Sequence, residues 1–231
     1  MSTIHLLSGG AAQGLVNKLK ADFERRHGCS VQGTFGAVGL MKDGLLRGDK
    51  CDVLILSQKL IDELADEGRL LADSARPIGA IRTGVAVREG DESPLVADAS
   101  QLREALLKAD GVYFPDPQKA TAGIHFMNVL RKLGVETEIA GRLRPHPNGA
   151  AAMKALAQSS ENRPIGCTQI SEILSTPGVR LVGPLPEEFA LATVYTAAIP
   201  AGASEPAHAK AFIEFLTSKA AAQDRRAAGI E

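Results

Sequence analysis

The sequence predicts an α/β fold in two lobes, and three observations carry that prediction. Short apolar runs alternate with helical patterns along nearly all of the 231 residues, the order that gives largely parallel sheets. The apolar runs near the start end in small residues and lead straight into helices. Two further strand-like segments, 79–88 and 192–199, are rich in Thr, Val and Ala and lie between regions. A chain that crosses from one lobe to the other and returns uses two such strands as a hinge.

IHLL opens the chain as a strand, SGGAAQG is its turn, and LVNKLKADFERRHG is the helix that follows. SVQGTF is the second strand, GAVG its turn, and 38–48 the second helix. CDVLIL is a fully buried strand. The helix SQKLIDELADEG then places Leu60, Ile61, Leu64 and Ala65 at the 3.6 period, with Ser57 as cap and Gly68 as stop. PIGAIRTGVAVRE reads as a strand, and SPLVADASQLREALLKAD as a loop and a helix capped by Ser100. GVYFPD is a strand, and Asp116-Pro117 leads into the helix TAGIHFMNVLRKLG. PNGAAAMKALAQ is a helix starting at Asn148 or Gly149, preceded by the stiff loop RPHPNG. RPIGCTQ is a short strand leading into SEILS, VRLVGPLP and ATVYTAAIP are strands, and a helical stretch closes the chain.

Composition excludes several classes of function. Lys and Arg total 26 against 27 Asp and Glu, a net charge of −1, which offers nothing to nucleic acid or an anionic membrane. There is no Trp, and Tyr and Phe number 2 and 7, so base-stacking platforms are not expected. No segment approaches the ~20 apolar residues of a membrane span. IHLL follows Met1 so closely that no signal peptide fits. The chain as it stands reads as cytoplasmic, or as periplasmic if a leader has been removed. The three cysteines, Cys29, Cys51 and Cys167, are odd in number and lack CxxC spacing, which argues against a disulfide framework or a zinc site. They read as small buried hydrophobes, and no metal or cofactor is expected.

Small residues let the N–H groups at a helix start approach a ligand closely. Two such turns at one end of a sheet make a cradle for a small anion.

The order of these segments resembles the type II periplasmic solute-binding proteins, in particular the molybdate-binding branch. IHLLSGGAAQGLVNKLKADFERRHG resembles its opening strand, small-residue turn and helix. FGAVGLMKDGLLRGDKCDVLILSQKLIDELADEG resembles its second turn, Gly-Asp stretch, strand and helix. YFPDPQKATAGIHFMNVLRKLG resembles its Asp-Pro strand and Ala-Gly helix entry. AFIEFLTSKAAAQDRRAAGIE resembles its C-terminal helix, with Ile230 in place of an aromatic. The resemblance implies two α/β lobes, 1–80 plus 200–231 and 81–199, with a ligand cleft at the two-strand hinge. It implies ligand contacts from the turns at 8–11 and 36–39, the helix start at 120–123, the turn at 148–151 and the strand end at 167–169. The ligand-binding candidates from these segments are Ser8, Gly9, Gly10, Ala11, Ala37, Val38, Ala122, Gly123, Gly149, Thr168 and Gln169, and the residues themselves add Arg82 at the first crossover.

The departures from the branch bear on the ligand. Molybdate binders place a serine in each of the first two turns and a tyrosine at the later strand end. Here those positions hold Ala11, the hydroxyl-free turn Gly36-Ala37-Val38-Gly39, and Gln169. Arg82, in IRTG at the first crossover, offers a planar fork suited to carboxylate. The branch also includes an aconitate isomerase without the serine pair.

Four readings stay open. One is a receptor for a small organic di- or tricarboxylate, delivering it to an ABC transporter permease if exported. The second is a cofactor-independent isomerase of the aconitate type, with His125 or His146 as the base. The third is a molybdate or tungstate binder, and the fourth a cytoplasmic ligand sensor. The dull alternatives are a Ser8 hydroxyl bonded to backbone, Thr168 as a helix cap, Arg82 in a surface ion pair, partly exposed histidines, Asp116 as a turn former and Asp52 as a strand-start group.

Overall fold

The structure is a computed structural model and describes residues 2–231. In chain order the elements are β1 (Thr3–Gly9), α1 (Gln13–His27), β2 (Ser30–Gly36), α2 (Val38–Arg47), β3 (Val53–Ser57), α3 (Gln58–Asp66) and β4 (Arg76–Arg88). Next come α4 (Ala99–Lys108), β5 (Gly111–Pro115), α5 (Thr121–Lys132), β6 (Leu143–His146), α6 (Gly149–Ala157), β7 (Pro164–Gln169), α7 (Ile170–Leu174) and β8 (Val179–Pro184). The chain closes with β9 (Ala192–Ala198), α8 (Pro206–Thr217) and α9 (Ala222–Ala227). It divides into two compact units, one running to Ile81 and resuming over Thr193–Glu231, the other spanning Arg82–Ala192. The first division therefore falls inside β4. Among the described residues no helix is long and apolar enough to cross a membrane.

The α/β class predicted from the alternating pattern is the class the chain adopts. In the first unit β1 pairs in parallel with β2 and β3, and β9 runs antiparallel to β3. Its core joins Ile4 and Leu6 of β1, Leu15 and Phe23 of α1, and Phe212 and Leu216 of α8. Phe23 meets Phe212 edge to face at 4.8 Å between ring centres, a favoured aromatic geometry. In the second unit β5 pairs in parallel with β6 and β7, while β4 runs antiparallel to β7 and β8. Alternation along β4 sends Val85 to one core with Leu102, Phe114 and Phe126, and Ala86 to another with Tyr113, Met153, Leu156 and Ile173. Both sheets are thus mixed, because β4 and β9 run against the parallel strands.

Other local expectations change. Asp98, not Ser100, caps α4, with its side chain accepting the Gln101 N–H at 2.9 Å. A carboxylate at that position satisfies an open amide and complements the helix dipole. Ser57 holds the cap position of α3 without a side-chain cap bond. The C-terminal helical stretch breaks between Thr217 and Ala222. The loop RPHPNG contributes most of strand β6, paired with β5.

Candidate functional site

In the first unit, the end of β1 aligns with the end of β2 through the pair Gly9↔Gly36. This puts the two small-residue turns side by side. Gly9 has no room for a side chain: a Cβ there would lie 2.8 Å from Val38 Cγ1 and 2.9 Å from Tyr195 Cε1. A single turn of 3-10 helix, Gly10–Ala12, continues into α1 and is fully buried. Ala37 and Val38 open α2 and are also buried. Neither the turn at Gly9 nor the start of α2 has a side-chain cap bond. The first N–H groups of a helix have no partner within it, so both starts are suited to receive an acceptor. Ser8 is fully buried, and its hydroxyl donates to the Gly9 carbonyl oxygen at 2.9 Å. That is the backbone-bonded alternative for this hydroxyl.

In the second unit, helix starts also follow the ends of the parallel strands. Asp116 accepts the N–H groups of Gln118 and Lys119 at 2.7 and 2.9 Å and turns the chain from β5 into α5. Gly123 lets α5 pack on that turn, since a Cβ would lie 2.2 Å from Asp116 O and 2.3 Å from Pro115 O. Ala122 and Gly123 are buried, and α5 has no side-chain cap bond. Arg82 is exposed on β4, one residue before the Thr83↔Gln169 pair of β4 with β7. Thr168 and Gln169, at the end of β7, are buried. Buried beside them are the hydroxyls of Thr83 and Ser171, neither of which has a hydrogen-bond partner.

The start of α6 differs. Asn148 caps it, its side-chain oxygen accepting the Ala151 N–H at 2.8 Å. The carboxyl group of Glu172 accepts the N–H groups of Gly149, Ala150 and Gln169, and the hydroxyl of Thr168 at 2.5 Å. A Cβ on Gly149 would lie 1.9 Å from Glu172 Oε2 and 2.2 Å from Thr168 Oγ1. Burial pushes the Glu172 carboxyl up to about 7, against the four hydrogen bonds that favour its charged form.

The histidines are held by their surroundings. His125 Nε2 bonds the Phe189 carbonyl oxygen at 2.8 Å, so that nitrogen carries the proton. His146 stacks on Tyr113 at 5.9 Å between ring centres, and burial lowers its pKa. All three cysteines are buried and free. Burial pushes the Cys51 thiol up to about 12 and raises Cys29 and Cys167 as well, so none is a ready thiolate. Two residues join the candidates only in three dimensions. Tyr195 lies against Gly9, and Glu172 against Gly149 and Thr168. In sequence, Tyr195 is one apolar residue of a strand and Glu172 one acid in a short helix.

Comparison with known proteins gives the family and the fold. The model of the bacterial extracellular solute-binding proteins matches residues 4–231. An aconitate isomerase from a Pseudomonas species is 25% identical over 242 residues, covering 100% of this chain and 88% of that protein. The molybdate-binding protein ModA of Escherichia coli K12 is 25% identical over 218 residues, covering 92% of this chain and 84% of that one. The structure of the Azotobacter vinelandii periplasmic molybdate-binding protein superposes with a TM-score of 0.82 at 19% identity, covering 99% and 98% of the two chains. The fold is therefore the two-lobed type II periplasmic-binding-protein fold.

Proposed function

Since the chain belongs to the bacterial extracellular solute-binding proteins, we propose that it binds a small organic di- or tricarboxylate. In the first unit the turns at Ser8–Ala11 and Ala37–Val38 offer backbone N–H groups. In the second, Ala122, Gly123, Thr168 and Gln169 offer the start of α5 and the end of β7, and Arg82 offers a two-pronged carboxylate clamp. One observation carries the choice of ligand class. Ser8 supplies the only hydroxyl of the two turns, and it is donated to Gly9 O. A tetrahedral oxyanion needs several donors converging on it. A flat carboxylate is held by one guanidinium fork and a few amides. In this reading the protein hands its ligand to an ABC transporter permease, and it works outside the cytoplasmic membrane as its family does.

The test is a thermal-shift screen against molybdate, tungstate, sulfate, phosphate, citrate and cis-aconitate. A ligand at 100 times its dissociation constant stabilises by ~2.7 kcal/mol. Stabilisation by carboxylates alone supports the reading, and stabilisation by molybdate or tungstate alone overturns it.

A second reading is an aconitate-type isomerase, favoured by the similarity of this whole chain to the Pseudomonas enzyme. Proton transfer needs an acid or base that changes protonation near neutral pH, and Glu172 is such a group. Interconversion of cis- and trans-aconitate, followed by chromatography, tests it.

A further inference from the structure

The start of α6 is closed from within. Its first three N–H groups all meet side-chain acceptors, Gly149 and Ala150 at Glu172 and Ala151 at Asn148. The Thr168 hydroxyl and the Gln169 N–H point at the same carboxyl. Glu172 thus draws on four donors, three of them from the proposed ligand-binding residues Gly149, Thr168 and Gln169. A carboxylate held this way occupies the place that a helix start and a neighbouring hydroxyl would otherwise give to an external anion.

We propose that Glu172 is the specificity-determining residue of the second unit: its carboxyl group withholds the α6 donors from an incoming anion, which engages them only when that carboxyl is protonated or withdrawn. This rests on the reading that Gly149, Thr168 and Gln169 belong to the ligand site. Two like charges sharing one set of donors in a buried setting repel strongly. A protonated Glu172 leaves no such repulsion, and its O–H becomes a donor. The groups facing Glu172 from β7 and α6 are Thr168, Gln169, Gly149 and Ala150, all uncharged. Lys154 of α6 is exposed, and β8, also packed on α7, carries Arg180, whose guanidinium donates instead to the Ser93 hydroxyl and the Asp91 carbonyl oxygen. His146, at the end of β6 ahead of α6, has its ring on Tyr113. Anion binding therefore takes up one proton at Glu172, and affinity falls as pH rises through about 7.

The experiment uses the whole protein, the probes sulfate, molybdate and cis-aconitate, and calorimetric titration at about pH 6 and about pH 8.5. The carboxyl loses most of its proton between these values, so wild-type affinity should fall roughly thirtyfold. Glu172→Gln, always neutral, should bind about equally at both and more tightly than wild type at the higher pH. Titration of His146 would persist in that variant, so loss of the pH dependence assigns it to Glu172. Binding by Glu172→Gln but not by wild type also supports the proposal. Binding with the same pH profile in both proteins, or with none in wild type, overturns it while leaving the binding reading intact. No binding by either protein overturns both. If Glu172→Gln does not fold, Glu172→Asp replaces it. One methylene shorter, it draws the carboxyl back from Gly149 and should tighten sulfate and molybdate binding at least tenfold at the higher pH, and unchanged affinity overturns the proposal.

Discussion

Asp52 holds Ser204 twice, accepting its backbone N–H at 2.7 Å and its hydroxyl at 2.9 Å. The same carboxylate accepts the N–H of Glu205 at 2.9 Å and that of His5 at 2.8 Å. Asp52 is 1% exposed. It ties the entry of β3 to β1 and to the segment leading into α8, and so knits the first unit across its whole sequence span. Burial alone would raise its pKa, but the four hydrogen bonds outweigh burial and hold it below the usual carboxylate value. Asp52→Ala removes the charged acceptor of four part-buried hydrogen bonds, each contributing about 1.5–3 kcal/mol. The variant should lose at least about 3 kcal/mol in urea unfolding at neutral pH. Because the folded pKa is depressed, this stabilisation is present above the unfolded value and is lost as pH falls through the folded one. The difference between wild type and variant should shrink in strong acid.

Gly79 takes a backbone φ of +151°, and a Cβ there would lie 2.6 Å from both Glu231 O and Ile230 Cγ2. The C-terminus lies along β4 at this point, with Ala80 and Glu231 exchanging backbone hydrogen bonds at 2.8 and 2.9 Å. Ile230, where the resemblance expects an aromatic, is 2% exposed. Gly79→Ala combines backbone strain with a clash against main chain and should cost about 2–4 kcal/mol. Removal of Ile230 and Glu231 should destabilise by a similar amount, through lost burial and lost pairing. Thermal unfolding of both variants checks this.

The order of elements is legible in the sequence because β3 and β5 are nearly unbroken apolar runs, β1 carries the short apolar stretch IHLL, and the helices between them keep the 3.6 period. The direction of β4 and β9 is not, since nothing in a strand's own residues records which neighbour it joins. β6 escapes because Arg144, Pro145 and His146 break any apolar pattern, and it lies at a sheet edge where Pro is tolerated. Within the site, the glycines at 9 and 123 stand out because small residues precede helices there. Glu172 does not, because its role depends on α6 lying beside α7. An acid in SEIL looks the same whether it faces water or a helix start.

Gly9→Ala tests the first-unit turns. The added methyl must push Val38 or Tyr195 aside, since each would sit under 3 Å away. Both contacts are side-chain atoms, so the fold should survive with a loss of about 1–3 kcal/mol. Val38 begins α2, and moving it disturbs the second turn as well as the first. Affinity for whichever anion of the screen stabilises the wild type should fall at least about tenfold. Unchanged affinity would remove these turns from the site.

Arg82→Ala separates the carboxylate reading from the oxyanion reading. The side chain is exposed, so unfolding free energy should change by less than about 0.5 kcal/mol. A charge-assisted clamp on a ligand carboxylate contributes about 1.5–3 kcal/mol, so citrate or cis-aconitate affinity should fall roughly 10- to 100-fold. Arg82→Lys should recover only part of this, because an ammonium lacks the planar fork. Calorimetric titration of the three proteins decides, and full affinity in Arg82→Ala excludes the clamp.

Glu172 also leaves a signature in stability that needs no ligand. Its pKa is raised from an ordinary 4.5 to about 7 by burial. Between these values the folded state holds a proton that the unfolded state releases, so unfolding becomes easier as pH rises. The stabilising contribution is complete below the unfolded value and is lost as pH climbs through about 7. Its size, at 1.36 kcal/mol per pKa unit, is about 3 kcal/mol. Glu172→Gln has no proton to lose. Its stability relative to wild type should therefore rise by roughly this amount between about pH 4.5 and pH 8 in urea unfolding. A flat difference across that range would mean that Glu172 is already ionised in the folded protein, stabilised by Thr168 and the α6 amides more than burial opposes it.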